Sequence, residues 1–197
     1  MKKLFLSVAA AALVLGGLFQ VASADEQKAQ VGTAAPAFSL KGIDGKDYTL
    51  ESLKGKVVVL EWFNPDCPYV KKHHVTNKTM QETAAKLAEK GVVWLAINSG
   101  AEGKQGAGPE RNKRAKEEYK VAYPILLDMD GKVGRAYGAK ATPTMVVIDA
   151  EGKLAYVGAI DDDASPKQRG AKNYVALAVE ALLEGKPVAE PKTRAYG

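Results

Sequence analysis

Cys67 is the only thiol in 197 residues, so any sulfur chemistry in this chain runs through one atom. It sits in Asn64-Pro65-Asp66-Cys67-Pro68, between an apolar run and a helical pattern. Proline suits the first position of a helix, which puts the sulfur at a helix N-terminus. Free backbone N–H groups and the helix dipole favour a thiolate there. The alternative is a buried structural cysteine, which is inert. On an α-helix Lys71 and His74 lie within about 40° and 20° of Cys67 around the axis, so either adds positive charge to its face. Cys67 and His74 also form a thiolate–imidazole pair of the kind copper(I) accepts. Two ligands make no metal centre, and His73 and His74 read more simply as surface histidines on a cationic helix. Glu61 is the one charge inside the apolar run. If buried, it has a raised pKa and can act as general acid or base; otherwise it reaches solvent or pairs with a lysine.

The elements that must position these groups follow from local pattern. Two short apolar runs around Gly42-Ile43-Asp44-Gly45 predict a hairpin over 38–50, because Asp-Gly favours a tight turn. The run over 57–63 reads as a buried strand. Helical spacing of Val70, Met80, Ala84 and Leu87 predicts one helix over 68–90, stopped by Gly91. A strand over 92–98, a glycine-rich mobile loop over 99–109, a charged helix over 110–120, a strand over 123–128 and a short helix over 132–137 follow. Then come a hairpin of strands over 145–149 and 154–158 and an amphipathic helix over 173–183. Asp161-Asp162-Asp163 reads as a solvated turn, and 186–197 as a tail.

At the other end, Lys2-Lys3, an apolar run over 4–19 and Ala22-Ser23-Ala24 fit a signal peptide over 1–24. The run falls short of the roughly 20 residues that span a bilayer. Export to a periplasm and no membrane attachment after cleavage are therefore expected. With 46% hydrophobic and 26% charged residues, the rest is one globular domain over 25–185. A net charge of +5, spread among interleaved acids, argues against a nucleic-acid partner. A single cysteine excludes an internal disulfide framework and cysteine-clustered zinc or iron–sulfur sites.

Ala35-Pro36-Ala37-Phe38, the hairpin to Leu50, the strand over 57–63, the helix after Cys67, and Thr142-Pro143-Thr144 leading to Asp149 resemble, in order and spacing, the thioredoxin-like superfamily. More narrowly they resemble its peroxiredoxin-like branch (redoxin, AhpC/TSA-type), over about 31–183. The resemblance implies an α/β thioredoxin-like fold, a mixed central sheet flanked by helices, with an N-terminal β-hairpin extension. It makes Thr142-Pro143 the proline loop opposite the cysteine, usually cis, whose preceding backbone pairs with an extended substrate. A plain proline at a strand start is the alternative. It also matches Glu61 to a buried proton-relaying acid. The motifs depart from the family in ways that matter. Asn64 stands at the first position of a Cys-x-x-Cys pair and Cys67 at the second, so no dithiol cycle runs within one chain. The peroxiredoxin proline and threonine positions hold Leu60 and Asn64, and no arginine falls near Pro143. Asn64 can still offer an amide to a bound oxygen or sulfur. Similar proteins often carry another cysteine beyond a matching Tyr196-Gly197, so the resolving thiol is expected from another molecule.

The resulting expectation is an exported antioxidant thiol oxidoreductase that attacks a peroxide or disulfide through Cys67. Glu61, Asn64, Lys71 and His74 would assist, and Thr142 and Pro143 would align the substrate. It would use no cofactor and no metal. Its partners would be an external thiol or disulfide reductase and a polypeptide thiol substrate. The rivals are a non-catalytic binding or chaperone-like module that keeps the docking proline, and a copper-handling protein built on Cys67 and His74.

Overall fold

A computed structural model describes residues 29–197; the expected signal peptide lies outside them. The sheet grows outward from β3 (Val58–Trp62), whose five residues are all buried. Strand alternation sends Val59 and Phe63 to one face and Val58, Leu60 and Trp62 to the other. Both faces are covered, which is why the run is apolar almost throughout. Glu61 shares the face of Val59, so the only charge in the strand points into a core.

β4 (Val93–Asn98) and β5 (Ile125–Leu127) continue the sheet in parallel on one side of β3. β6 (Met145–Ile148) and β7 (Leu154–Gly158) add antiparallel strands on the other. The expected hairpin is β1 (Ser39–Gly42) and β2 (Asp47–Thr49), with Gly45 at φ +80° in its turn. β1 pairs antiparallel with β5, so the order is β2-β1-β5-β4-β3-β6-β7. This is the thioredoxin-like mixed sheet with its N-terminal hairpin extension.

Side chains of α2 (Thr79–Ala88), α3 (Pro109–Glu118) and α5 (Tyr174–Leu183) pack on the Val59 face. The other face packs against Phe38 and Tyr137, the latter just after α4 (Lys132–Ala136). Phe63, Val70 and Met80 are buried where the helices meet β3, each stabilising the fold by about 1.5–3 kcal/mol.

One expectation needs correction. The single helix over 68–90 is divided: α1 (Pro68–Lys71) runs into a wide π turn over Lys72–Thr76, and Lys78 at φ +53° breaks the chain before α2. A π turn inserts residues into the helical repeat, so faces projected from α-helical spacing do not survive it. The tail is structured. Lys192 bridges in parallel to Val157 of β7, with Val157 N–H donating to Pro191 O and Thr193 N–H to Val157 O, each at 3.1 Å. The last residues thereby cover the edge of the sheet, a position that would otherwise expose unpaired backbone groups.

Candidate functional site

The chain leaves the buried end of β3 at Phe63 and turns sharply. Asn64 makes the turn, its Oδ1 accepting from Asp66 N–H at 2.9 Å and its carbonyl from Cys67 N–H at 3.0 Å. Cys67 is then the N-cap of α1, with Pro68 following at the first helical position. The thiol is free and half-buried. Its Sγ donates to Thr142 O at 3.0 Å, across the cis Thr142-Pro143 bond that opens β6. The cysteine and the proline loop, 75 residues apart, are in contact.

The helix frame changes the expected register. Cys67, not Asn64, occupies the helix N-terminus, and one turn inside it stands Val70, with no exposure. Cys67 is thus the exposed member of a Cys-x-x-Cys-like spacing whose inner member is valine. Asn64 is a turn residue whose Nδ2 donates to Gln105 O at 3.3 Å, which uses one of its two amide hydrogens.

Sequence reasoning missed the groups that hold this turn from the far side. Arg111 of α3 donates to Asp66 Oδ1 from Nε and Nη2, at 3.0 and 2.8 Å. Tyr119 OH donates to Pro65 O at 2.7 Å. The glycine-rich segment expected to be mobile is anchored: buried Asn98 and Asn112 both donate to Gly106 O, at 2.8 and 3.2 Å. Gly106, at φ +74°, lies so close that any Cβ there would collide with the Asn64 side chain. Arg111 gave little signal in the sequence because it lies in a charged stretch that reads as a solvated helix.

Glu61, His74 and Lys71 do not converge on the sulfur. His74 is buried. Its Nε2 meets Glu61 Oε1 at 2.6 Å, while Nδ1 faces Gln81 Nε2 at 3.3 Å. The surface-histidine reading fails for both residues, since the π turn and the packing on either side bury His73 and His74. With both ring nitrogens facing protein partners, His74 is not presented to a metal beside Cys67. Among the described residues no group of three or more His, Cys, Asp or Glu side chains could hold one. Lys71 is exposed.

Glu61 is buried, as the proton-relay reading needs, but not in the expected protonation state. Its Oε2 accepts from Trp94 Nε1 at 3.1 Å and from Tyr123 OH at 2.7 Å. Burial alone would raise its pKa. The opposing charge of His74 and the hydrogen bonds from His74, Tyr123 and Trp94 outweigh that and hold the carboxyl below its ordinary range. The pressure appears on Tyr123 instead, whose pKa burial and the adjacent carboxylate push well above its usual value.

Lys72, His73 and Asp161 form a second buried group under the chain's last residues. The Tyr196 hydroxyl donates to Asp161 Oδ1 and meets His73 Nε2 at 3.2 Å, and Lys72 Nζ lies 5.1 Å from the Tyr196 ring centre. Asp161 is therefore no solvated turn residue. Burial, offset by Asp161 and reinforced by Lys72, takes the His73 pKa down to about 4.

The model of the Redoxin family matches residues 30–175. The chain is 31% identical over 147 residues to the thiol-disulfide oxidoreductase ResA of Bacillus anthracis, covering 72% of this chain and 80% of that protein. It is 32% identical to the thioredoxin-like protein YneN of Bacillus subtilis, covering 70% and 76%. Among solved structures it is similar to a hypothetical protein from Sinorhizobium meliloti 1021, with TM-score 0.73, 28% identity and coverage of 84% and 90%. An uncharacterized conserved protein from Geobacillus kaustophilus gives TM-score 0.72, 32% identity and coverage of 84% and 87%.

Proposed function

The chain belongs to the Redoxin family, and from that premise we propose that it is an exported thiol-disulfide oxidoreductase that works through a single thiol, Cys67. The observation that carries this reading is the contact of Cys67 Sγ with Thr142 O at 3.0 Å, at the N-cap of α1 and beside Pro143. The Cys67 thiolate attacks one sulfur of a substrate disulfide, the S–S bond breaks, and the departing thiolate takes a proton from solvent. With Val70 at the inner position, no thiol on the same helix resolves the mixed disulfide. An external thiol attacks the Cys67 sulfur and expels the second substrate thiol, and another external thiol then attacks the new mixed disulfide at the external sulfur, expelling reduced Cys67 and leaving the external pair joined as a disulfide.

Disulfide exchange is favoured over peroxide reduction by the fate of the polar groups. Two Arg111 N–H groups are directed to Asp66 Oδ1 and one amide N–H of Asn64 to Gln105 O, which leaves fewer donors for an O–O bond, and relatives named thiol-disulfide oxidoreductases support the same preference. Glu61 and His74 act on this reading as a buried support beneath the helix, and Thr142-Pro143 aligns the substrate.

The test is intact mass after exposure of the reduced protein to glutathione disulfide, and separately to hydrogen peroxide with a sulfenic-acid trap. The expected result is a mixed disulfide on Cys67, absent in Cys67→Ser, and slow or no trapping. Rapid trapping without the mixed disulfide would move the activity to peroxide, and reaction with neither reagent would leave a non-catalytic module.

A further inference from the structure

The final six residues run from the edge of β7 to the Thr142 backbone, whose carbonyl accepts from Cys67 Sγ. Thr193 fixes the segment: its hydroxyl accepts from Ala159 N–H at 3.0 Å and shares a hydrogen bond with Tyr156 OH. Gly158 has no room for a side chain, since a Cβ there would collide with Thr193. Tyr196 then enters a socket. Its ring packs edge-on against Tyr69, with centres 5.7 Å apart, beneath the Lys72 ammonium and beside His73. Its hydroxyl reaches Asp161. His73 Nδ1 has no hydrogen-bond partner among the described residues, the nearest carboxylate oxygen being Asp161 Oδ2 at 3.9 Å. Gly197 presses on the backbone of Thr142, so closely that a Cβ would collide with the carbonyl to which Cys67 Sγ donates.

This seating divides the surface. A cleft of about 730 Å³ runs along the segment past Tyr69 and Asp161, and another of about 380 Å³ opens past Asn64, Ser99 and Lys140. Ala141 and Gly197 line both. Without the final residues the two clefts would join beside Thr142, whose carbonyl accepts from Cys67 Sγ, near the carboxyl ends of β3 and β4 where open α/β sheets take their ligands.

We propose that residues 192–197 are a built-in occupant of a polypeptide-docking groove beside Cys67. An incoming chain must displace them, and the Tyr196 socket selects chains that carry an aromatic side chain next to the residue seated on Thr142. This rests on the reading of Cys67 as a disulfide-exchanging thiol. The chemistry of the socket defines the partner: two aromatic faces and a cation for a ring, and a buried carboxylate for a phenolic hydroxyl. Small disulfides need less of the groove and feel the strap less.

The experiment follows the rate of mixed-disulfide formation at Cys67 in the full chain, with glutathione disulfide and with a disulfide-bonded peptide carrying tyrosine beside its cysteine. In Tyr196→Ala the peptide rate rises roughly tenfold, as removal of a competitor occupying the site nine-tenths of the time requires, while the glutathione rate changes much less. A synthetic Lys-Thr-Arg-Ala-Tyr-Gly peptide slows the variant again, and its Tyr-to-Ala analogue does not. A peptide rate unchanged or lowered in a folded Tyr196→Ala protein overturns the inference. If that variant does not fold, Tyr196→Phe keeps the ring and removes the hydroxyl contacts with Asp161 and His73; it should shift the peptide rate in the same direction by less, and no shift overturns the inference. No reaction of the wild-type protein with either disulfide refutes instead the functional reading beneath it.

Discussion

Two polar regions flank the helical turns after Cys67 and are built in opposite ways. On the sheet side, Glu61, His74, Trp94 and Tyr123 are all buried, and the carboxylate takes three donors through its two oxygens. On the outer side, Cys67 is half-buried, its sulfur has one backbone acceptor, and a cleft opens past Thr142. Charge in the first region is neutralised by fixed partners and does not depend on any ligand. The second leaves a free thiol whose hydrogen bond goes to a backbone carbonyl, next to a cleft that passes Thr142. A buried titratable cluster near a reactive residue is thus not by itself part of the reaction; the direction in which its hydrogen bonds run decides.

Cutting the sheet-side network should have the largest effect. Glu61→Ala strands His74, Trp94 and Tyr123 without their acceptor, and stability by denaturant titration should fall by about 3–5 kcal/mol, as for other buried pairs that lose one member. In the folded fraction, the rate of Cys67 adduct formation should stay within about twofold of wild type, as expected of uncoupled sites. A much larger rate loss would join the two regions into one machine and break the contrast.

Acid should reach the buried groups next. A histidine with a folded-state pKa near 4, against about 6.5 when unfolded, contributes stability that is complete above pH 6.5 and drains away as pH falls towards 4. The loss is at most about 3 kcal/mol. Glu61, held below its ordinary range, adds a further loss as pH falls below its unfolded value. Thermal midpoints measured between pH 7 and 4 should therefore decline, and His73→Gln should flatten the upper part of that slope. A profile identical in wild type and variant would show that His73 is not the group being charged.

The smallest effect belongs to the outer region. Arg111→Met leaves the Asp66 carboxylate uncompensated beside Cys67, and a partly exposed ion pair is worth up to about 1 kcal/mol. Adduct formation should slow by up to about fivefold, stability should fall by no more than about 1 kcal/mol, and Asp66→Asn in the same chain should restore the rate. Failure of the double variant to recover would assign Arg111 a purely structural hold on the turn.

Much of this was legible along the chain because its causes are local. The alternation over 57–63, the Asp44-Gly45 turn, Pro68 after Cys67 and the glycine stop after α2 each act within a few residues, so the strands, the hairpin and the cysteine's place at a helix start could be read directly. The thioredoxin-like order of elements followed from them. Helical spacing failed only where it was extrapolated through the π turn, which rotated His74 away from Cys67 and towards the sheet.

Local pattern along the chain is enough for the strands, the two covered faces of the sheet and the place of the one thiol at a helix start. Packing settles which polar groups that sulfur meets. Cys67 and Thr142 are 75 residues apart, Glu61 and Tyr123 are 62 apart, and His73 and Tyr196 are 123 apart. A hydrogen bond or ion pair needs its partners within about 3–4 Å, and no spacing along a chain encodes that proximity once it closes through other elements. Arg111, the Gly106 contact and the strap over Thr142 are therefore properties of the packed molecule.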